Sequence, residues 1–252
     1  MKYLNMNIYK VGTIYKAVLI SLSLLLIKPV HSQLVTGNQI TTIHKKEIFQ
    51  IIKANKEKLI TVQQLVLAIN DSDSSNKAIV VALERKNKRW KIKLSAVEAS
   101  IGKNGFALAA EKQEGDGKSP TGIFALGQLF TYEASVNTPL NYIQTNAEDK
   151  WIDDPNHENY NTYIRGNTNA KSFEHLKLSS IDYKYCMVIE YNTHPVVKGK
   201  GSAIFFHLAT PSYDPTAGCV AIKESDMDKI LLWLDPNKQK AILMGNKNHL
   251  LK

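Results

Sequence analysis

The sequence predicts a mainly β fold with a few short helices. Apolar residues recur in short runs or at every second position over 63–96 and again over 183–244. Helical spacing is confined to stretches near the two ends. Hydrophobic residues make up 44% and charged residues 22%, which suits a packed core and excludes disorder or coiled coil for the whole chain. The 252 residues show no internal repeat and no linker after residue 60, so one domain over about 45–246 is the simplest division. In finer terms a lead-in helix occupies 33–60, the main domain 61–246 and a short tail 247–252.

The elements read as follows. Ile43, Ile48, Ile51, Ile52 and Leu59 fall near helical spacing, which predicts a helix over 43–59. A short apolar run over 63–69 precedes a turn-rich loop over 70–76. Segments 78–84 and 89–96 pair as a hairpin closed near Asn87, with Trp90, Ile92 and Leu94 alternating with Lys91, Lys93 and Ser95. Segment 183–191 is a strand with Tyr183, Tyr185, Met187, Ile189 and Tyr191 on one face. Segment 203–208 is nearly all apolar and reads as a central strand. Ser225 is expected to cap a helix carrying Met227, Ile230, Leu231 and Leu234, ended by Asp235-Pro236-Asn237. A last strand covers 241–244.

The first 32 residues read as a secretory signal. Lys2, Lys10 and Lys16 precede eleven uncharged residues over 17–27, then Pro29 and Val30-His31-Ser32. Eleven helical residues span about 16 Å, too short for a hydrocarbon core of about 30 Å. The alternative is an uncleaved anchor extended upstream through Val11. Cleavage near Ser32 would leave no stable membrane span and place the protein in the periplasm or cell wall. The chain carries 32 Lys and Arg against 23 Asp and Glu, a net +9. Four of those lysines lie in the first 32 residues, so the remainder is modestly basic and does not call for nucleic acid.

Two cysteines exclude a disulfide framework and a four-thiolate zinc site. Cys219 directly follows Gly218 at the end of a loop, in Thr216-Ala217-Gly218-Cys219-Val220-Ala221. A tight turn there can aim backbone N–H groups at a reacting carbonyl. His207 ends the strand Ala203-Ile204-Phe205-Phe206, and an imidazole against a thiol lowers the thiol pKa and activates it. The competing reading is an inert buried Cys219 and a satisfied core His207. Cys186, mid-strand between Tyr185 and Met187, reads as packing; a Cys186–Cys219 disulfide would consume the nucleophile. A zinc site of His194, His207 and Cys219 is a further alternative, weakened by His194-Pro195 being in a turn.

Gly201-Ser202-Ala203-Ile204-Phe205-Phe206-His207 followed by Thr216-Ala217-Gly218-Cys219-Val220-Ala221-Ile222 resembles the signature of the YkuD-type L,D-transpeptidases. Glu114-Gly115-Asp116-Gly117-Lys118-Ser119-Pro120-Thr121-Gly122 is similar to the family's glycine-rich turn, with Ser119 where Thr is usual. Trp151-Ile152-Asp153-Asp154-Pro155 and Tyr160-Asn161 resemble one branch of the family. The resemblance spans roughly 60–245. It implies an L,D-transpeptidase-like β-sandwich or barrel of mixed sheets and a cysteine acyl transfer on peptidoglycan stem peptides, with no cofactor and no metal. Cys219 would be the nucleophile, His207 the base, and the Gly218 and Cys219 N–H groups the oxyanion hole. Asp153, Asp154, Tyr160, Asn161, Thr216 and Ala217 would contact substrate. A 3→3 cross-link would result from amine attack on the thioacyl-enzyme, and L,D-carboxypeptidase activity from water attack. A non-catalytic wall-binding protein of the same fold is the remaining alternative, and the chain is expected to act as a monomer. Many members carry His where this chain has Ala217 and Arg where it has Ala221, so the substrate's carboxylates lose two usual partners.

The remaining motifs have plainer readings. Pro120 follows Lys118-Ser119 where a phosphate-binding loop would open a helix, so 115–122 reads as a glycine turn. Arg85, Lys86, Lys88, Arg89, Lys91 and Lys93 read as a solvated hairpin face, with docking to anionic wall polymers as the functional alternative.

Overall fold

The computed structural model describes residues 37–252 apart from 109. The signal predicted over 1–32 lies outside the described residues. Helix α1 spans Gly37–Ala54 and ends five residues before Leu59, where the apolar spacing had carried the expected helix. The physical reason is Asn55, whose side-chain amide donates to the Ile51 carbonyl (3.0 Å) and to the Leu250 carbonyl (2.7 Å). It thereby reinforces the Ile51 carbonyl, which also accepts the Asn55 N–H, and ties the end of this helix to the Leu250 carbonyl.

Next come β1 (Gln64–Asn70), β2 (Lys77–Lys86) and β3 (Arg89–Ser100). Asn87 and Lys88 close the β2–β3 hairpin with φ of 52° and 63°, the left-handed pair that matches strand twist. Then come five strands that the sequence pattern did not reveal: β4 (Gly122–Thr131), β5 (Tyr142–Gln144), β6 (Asp149–Ile152), β7 (Tyr163–Arg165) and β8 (Phe173–His175). β9 (Tyr185–Ile189), β10 (Phe205–Leu208), β11 (Val220–Ile222), α2 (Glu224–Trp233), β12 (Lys240–Asn246) and α3 (Lys247–Leu250) complete the chain.

Nine strands form one mixed sheet in the order β12-β1-β2-β3-β11-β10-β9-β4-β5. β12 also pairs with the first half of β4, so the sheet closes on itself as a barrel. The pairs β1–β12, β10–β11 and β4–β5 are parallel and the rest antiparallel. β7, β6 and β8 make a separate small sheet. The fold is mainly β, as the alternating runs predict.

Side chains alternate across the barrel wall. Val66, Ala68, Met187, Phe206, Val220, Ile242 and the buried α2 residues Met227, Ile230 and Leu231 share one core. Leu65, Leu67 and Ile69 point the other way and pack with Ile48, Ile51 and Ile52 of α1. A third cluster joins Cys186, Val188, Phe205 and Cys219 on the barrel to Trp151 of the small sheet. Trp151 meets the Phe205 ring edge-on at 5.3 Å. The small sheet therefore packs over the barrel face that carries Cys219.

Three local expectations change. Tyr183 precedes β9 and joins the Cys219 cluster instead of sharing a face with Tyr185 and Met187. Lys223, not Ser225, sits at the start of α2 and makes no side-chain cap; Glu224 and Asp226 place negative charge in the first turn instead. Residues 247–250 are helical where a tail was expected. Asn246 accepts the Asn248 N–H (2.9 Å), and Leu250 is buried against α1.

Candidate active site

β10 and β11 run parallel as neighbours, with Phe206 opposite Val220 and His207 opposite Ala221. Phe206, Leu208, Val220 and Ile222 fill the barrel core. By alternation His207 and Cys219 stand on the other face, Cys219 level with Phe205 and so two residues along the strand from His207. Both line a cleft of about 290 Å³. Two short strands thus fix the two groups that the sequence singled out twelve residues apart. Ala221 lies directly opposite the histidine on the neighbouring strand.

The thiol is nearly closed off from solvent, at 5% exposure. Its Sγ accepts the Phe205 N–H and donates to the Ala203 carbonyl, each at 3.3 Å. Burial pushes the Cys219 pKa well up, and the nearby Glu174 charge adds to that. This differs from the expectation of a lowered thiol pKa: desolvation of a thiolate outweighs the Phe205 N–H and the Lys112 charge that favour it. His207 is shifted down by burial. Its Nδ1 lies 2.9 Å from the Leu208 carbonyl, which can only accept, so Nδ1 carries the proton and Nε2 keeps the lone pair. The resting pair is a neutral thiol and a neutral imidazole.

The loop behind the nucleophile is held from both sides. Thr216 Oγ1 donates to the Cys219 carbonyl (2.7 Å) and accepts the Gly218 N–H (3.1 Å). Ser119 Oγ, from the glycine-rich turn, donates to the same carbonyl (3.2 Å) and accepts the Gly102 N–H (2.9 Å). A Cβ at Gly218 would lie 3.0 Å from the Lys118 carbonyl oxygen and 3.0 Å from Ile204, so a larger residue would have to push the two loops apart by a few tenths of an ångström. Of the two amides read as oxyanion donors, Gly218's is already given to Thr216. The Cys219 N–H is the remaining one. Thr216 and Ala217 line the cleft as expected, with Thr216 acting on the loop itself.

The other expected substrate contacts divide. Asp153 lines the cleft, and its Oδ1 is buried without a hydrogen-bond partner. Asp154 is turned to the protein: its two oxygens accept the Asn156 and Lys171 N–H groups, both at 2.9 Å, which holds its carboxyl below the usual range. Tyr160 is buried, donates to Glu114 and accepts the Gly201 N–H. Asn161 Oδ1 accepts from Trp151 Nε1 (2.8 Å) and the Ala203 N–H (3.1 Å), while its amide donates to the Tyr191 (3.1 Å) and Asn192 (2.8 Å) carbonyls. Asp154, Tyr160 and Asn161 are thus corrected from substrate contacts to wall supports, because their polar atoms are already spent on the protein. Asn161→Ala is expected to cost about 3 kcal/mol of stability, since it strands a buried indole N–H and a backbone N–H. Calorimetric unfolding checks this, and an unchanged Tm would overturn it.

The cleft also holds residues that the sequence did not mark. Lys112 is buried against Asp116 (2.9 Å) and the Gln113 carbonyl (2.7 Å). Tyr183 stacks edge-on against His207 at 5.2 Å and hydrogen-bonds Glu174. Burial, opposed by that bond and reinforced by Asp153 and Glu114, pushes the Glu174 carboxyl up to about 7. Glu114 and Ser202 had appeared within the quoted motifs, but Glu174, on the short strand β8, carried no signal. Cys186 and Cys219 are both free thiols. His194 does not line the cleft, and among the described residues no three His, Cys, Asp or Glu side chains are placed to hold a metal together. Nor is any described helix long and apolar enough to cross a membrane.

A search of curated proteins finds no match. Among solved structures the chain is similar to the helical cell shape determining protein Pgp2 from Campylobacter jejuni, at 16% identity and a TM-score of 0.40, over 79% of this chain and 55% of that one. The chain thus spans about half the length of that protein. The model of the YkuD family, the L,D-transpeptidase catalytic domain, matches residues 69–242, which takes in both loops, the small sheet, His207 and Cys219: the chain belongs to the L,D-transpeptidase catalytic domain family.

Proposed function

We propose that the protein acts outside the cytoplasm, in the periplasm or wall, on peptidoglycan stem peptides, and that it forms 3→3 cross-links through a thioacyl-enzyme on Cys219. The observation that carries this reading is that Cys219 and His207, brought by neighbouring strands to one barrel face, line the same cleft within a matched L,D-transpeptidase domain. The donor carbonyl, after the third stem residue, is attacked by Sγ. His207 Nε2 takes the thiol proton as attack proceeds and returns it to the departing D-alanine amine. The Cys219 N–H faces the developing oxyanion. An acceptor amine then attacks the thioester; its proton passes to Nε2 and on to Sγ as the C–S bond breaks, which restores the neutral thiol and imidazole.

Hydrolysis is the second reading, since water can replace the acceptor amine at the same thioester. A carboxypeptidase and a transpeptidase share every residue named so far. Incubating the purified protein with disaccharide-tetrapeptides and weighing the products separates them. Cross-linked dimers support transfer, tripeptide monomers alone support hydrolysis, and unchanged substrate removes both.

Thr216 supplies a finer test. Thr216→Val keeps the shape but releases the Gly218 N–H and the Cys219 carbonyl. D-alanine release should fall about tenfold in kcat, roughly 1.4 kcal/mol in the barrier, with KM little changed. A normal kcat would mean that the loop holds its shape without this hydroxyl.

A further inference from the structure

The cleft is lined by five carboxylates, Glu114, Asp153, Glu174, Asp182 and Asp214, against one ammonium, Lys112, whose charge Asp116 already answers at 2.9 Å. Three of the five gather at the end formed by the small sheet. Glu114 comes from the glycine-rich turn, Asp153 follows β6, and Glu174 lies on β8, opposite Trp151 of β6. Hydroxyls hold two of them in place. Ser202 Oγ donates to Glu114 Oε2 (2.6 Å), as does Tyr160, and Tyr183 donates to Glu174. Asp153 has no such partner: its Oδ1 is closed from solvent and meets no donor. A buried carboxylate oxygen left unpaired is costly and in native proteins asks for an explanation. The crowding is felt by Glu174, whose carboxyl Asp153 and Glu114 help to push up to about 7.

We propose that Glu114, Asp153 and Glu174 form a subsite for a primary ammonium group of the substrate, beside the Cys219 thiol. The proposal rests on the reading of this cleft as the stem-peptide site. An ammonium is a compact charge with three donors, which suits carboxylates arriving from three separate segments better than a planar guanidinium does. It would satisfy the unpaired Asp153 oxygen and relieve the repulsion among the three acids. An anionic group at this end would meet like charge at short range. Stem peptides carry such an amine on the side chain of a diamino acid at position three, and the acceptor brings the same group, which binds as the ammonium and must lose a proton before it attacks.

The test uses the full chain and two synthetic tetrapeptides, L-Ala-γ-D-Glu-L-Lys-D-Ala and its Nε-acetyl-lysine form, which keeps the stem and removes the charge. Binding is measured by calorimetry in a Cys219→Ala background. The free amine should bind about tenfold or more tighter, on the scale of one charge-assisted contact. Adding Asp153→Asn and Glu174→Gln should bring the ratio close to one and move the acetylated peptide less than about twofold. Asp153→Asn alone, nearly isosteric, serves if the double variant does not fold. Equal affinity in the parent, equal losses for both peptides, or binding of neither overturns the subsite. D-alanine release by the protein with Cys219 intact is read in parallel. Preference in binding without any turnover removes the acyl-transfer reading and keeps the subsite, and turnover without preference does the reverse. Release without added amine reads the donor's ammonium. Product formation from the acetylated donor and a lysine-bearing acceptor reads the acceptor's. The arm that loses its preference in the variants identifies the amine bound.

Discussion

Cys219→Ala is expected to abolish both D-alanine release and cross-linking, by roughly 10⁴-fold or more, because no other thiol lines the cleft to take over the acyl group. Cys186→Ala is the matched control. Cys186 is fully buried on β9, opposite His207 in register, and it does not line the cleft. Removing its sulfur leaves a small void and costs about 1 kcal/mol of stability, the scale of one methyl-sized deletion in a packed core. Activity per folded molecule should stay near the parent value. The two cysteines share one hydrophobic cluster, so a difference this large between them cannot arise from packing alone. Measured turnover in Cys219→Ala would remove the thioacyl mechanism. Inactivity of a well-folded Cys186→Ala would mean that the second thiol does more than pack.

The strands that place this chemistry were legible for a physical reason. β1, β9, β10 and β12 are buried on both faces, so their residues read as short unbroken apolar runs between turn signals. The hairpin β2–β3 alternates because one face is wet. β6, β7 and β8 did not read as strands because they are three or four residues long and mix Lys, Glu, Arg and His with single aromatics. Their stability comes from contacts distant in sequence, such as Arg165 on Asp149 (2.7 Å) and Trp151 on Phe205. The nucleophile and base could be read because glycine-cysteine after a loop, and a histidine ending an apolar strand, are local patterns. Substrate contacts are not local. Asp153 and Asp154 are adjacent in sequence, yet one opens into the cleft and the other caps a turn. Nothing in the pair itself distinguishes them. Glu174 is defined only by what folds around it.

His207→Ala is expected to lower kcat by about 10²–10⁴-fold, the usual worth of a positioned base, with a pH profile that follows from burial. Burial pulls the imidazole pKa below its ordinary value of about 6.5 and pushes the thiol pKa up. The base is therefore already neutral at pH 7, and the thiol is still protonated well into alkaline solution. Activity should hold level from neutral pH upward and fall only when acid protonates Nε2, at a pH below about 6.5. The same shift affects stability. A histidine buried neutral contributes stability above its unfolded pKa, and that contribution is lost as pH falls through the folded value. Alkylation reads the thiol directly. Iodoacetamide should label Cys219 slowly at pH 7, with no rise at acidic pH, because a thiolate forms only as the proton moves to His207 during attack. A profile that titrates near pH 5 and disappears in His207→Ala would mean a preformed thiolate–imidazolium pair. In that case His207 would act by stabilising charge already present, and the fall in activity on the acid side would follow the thiol.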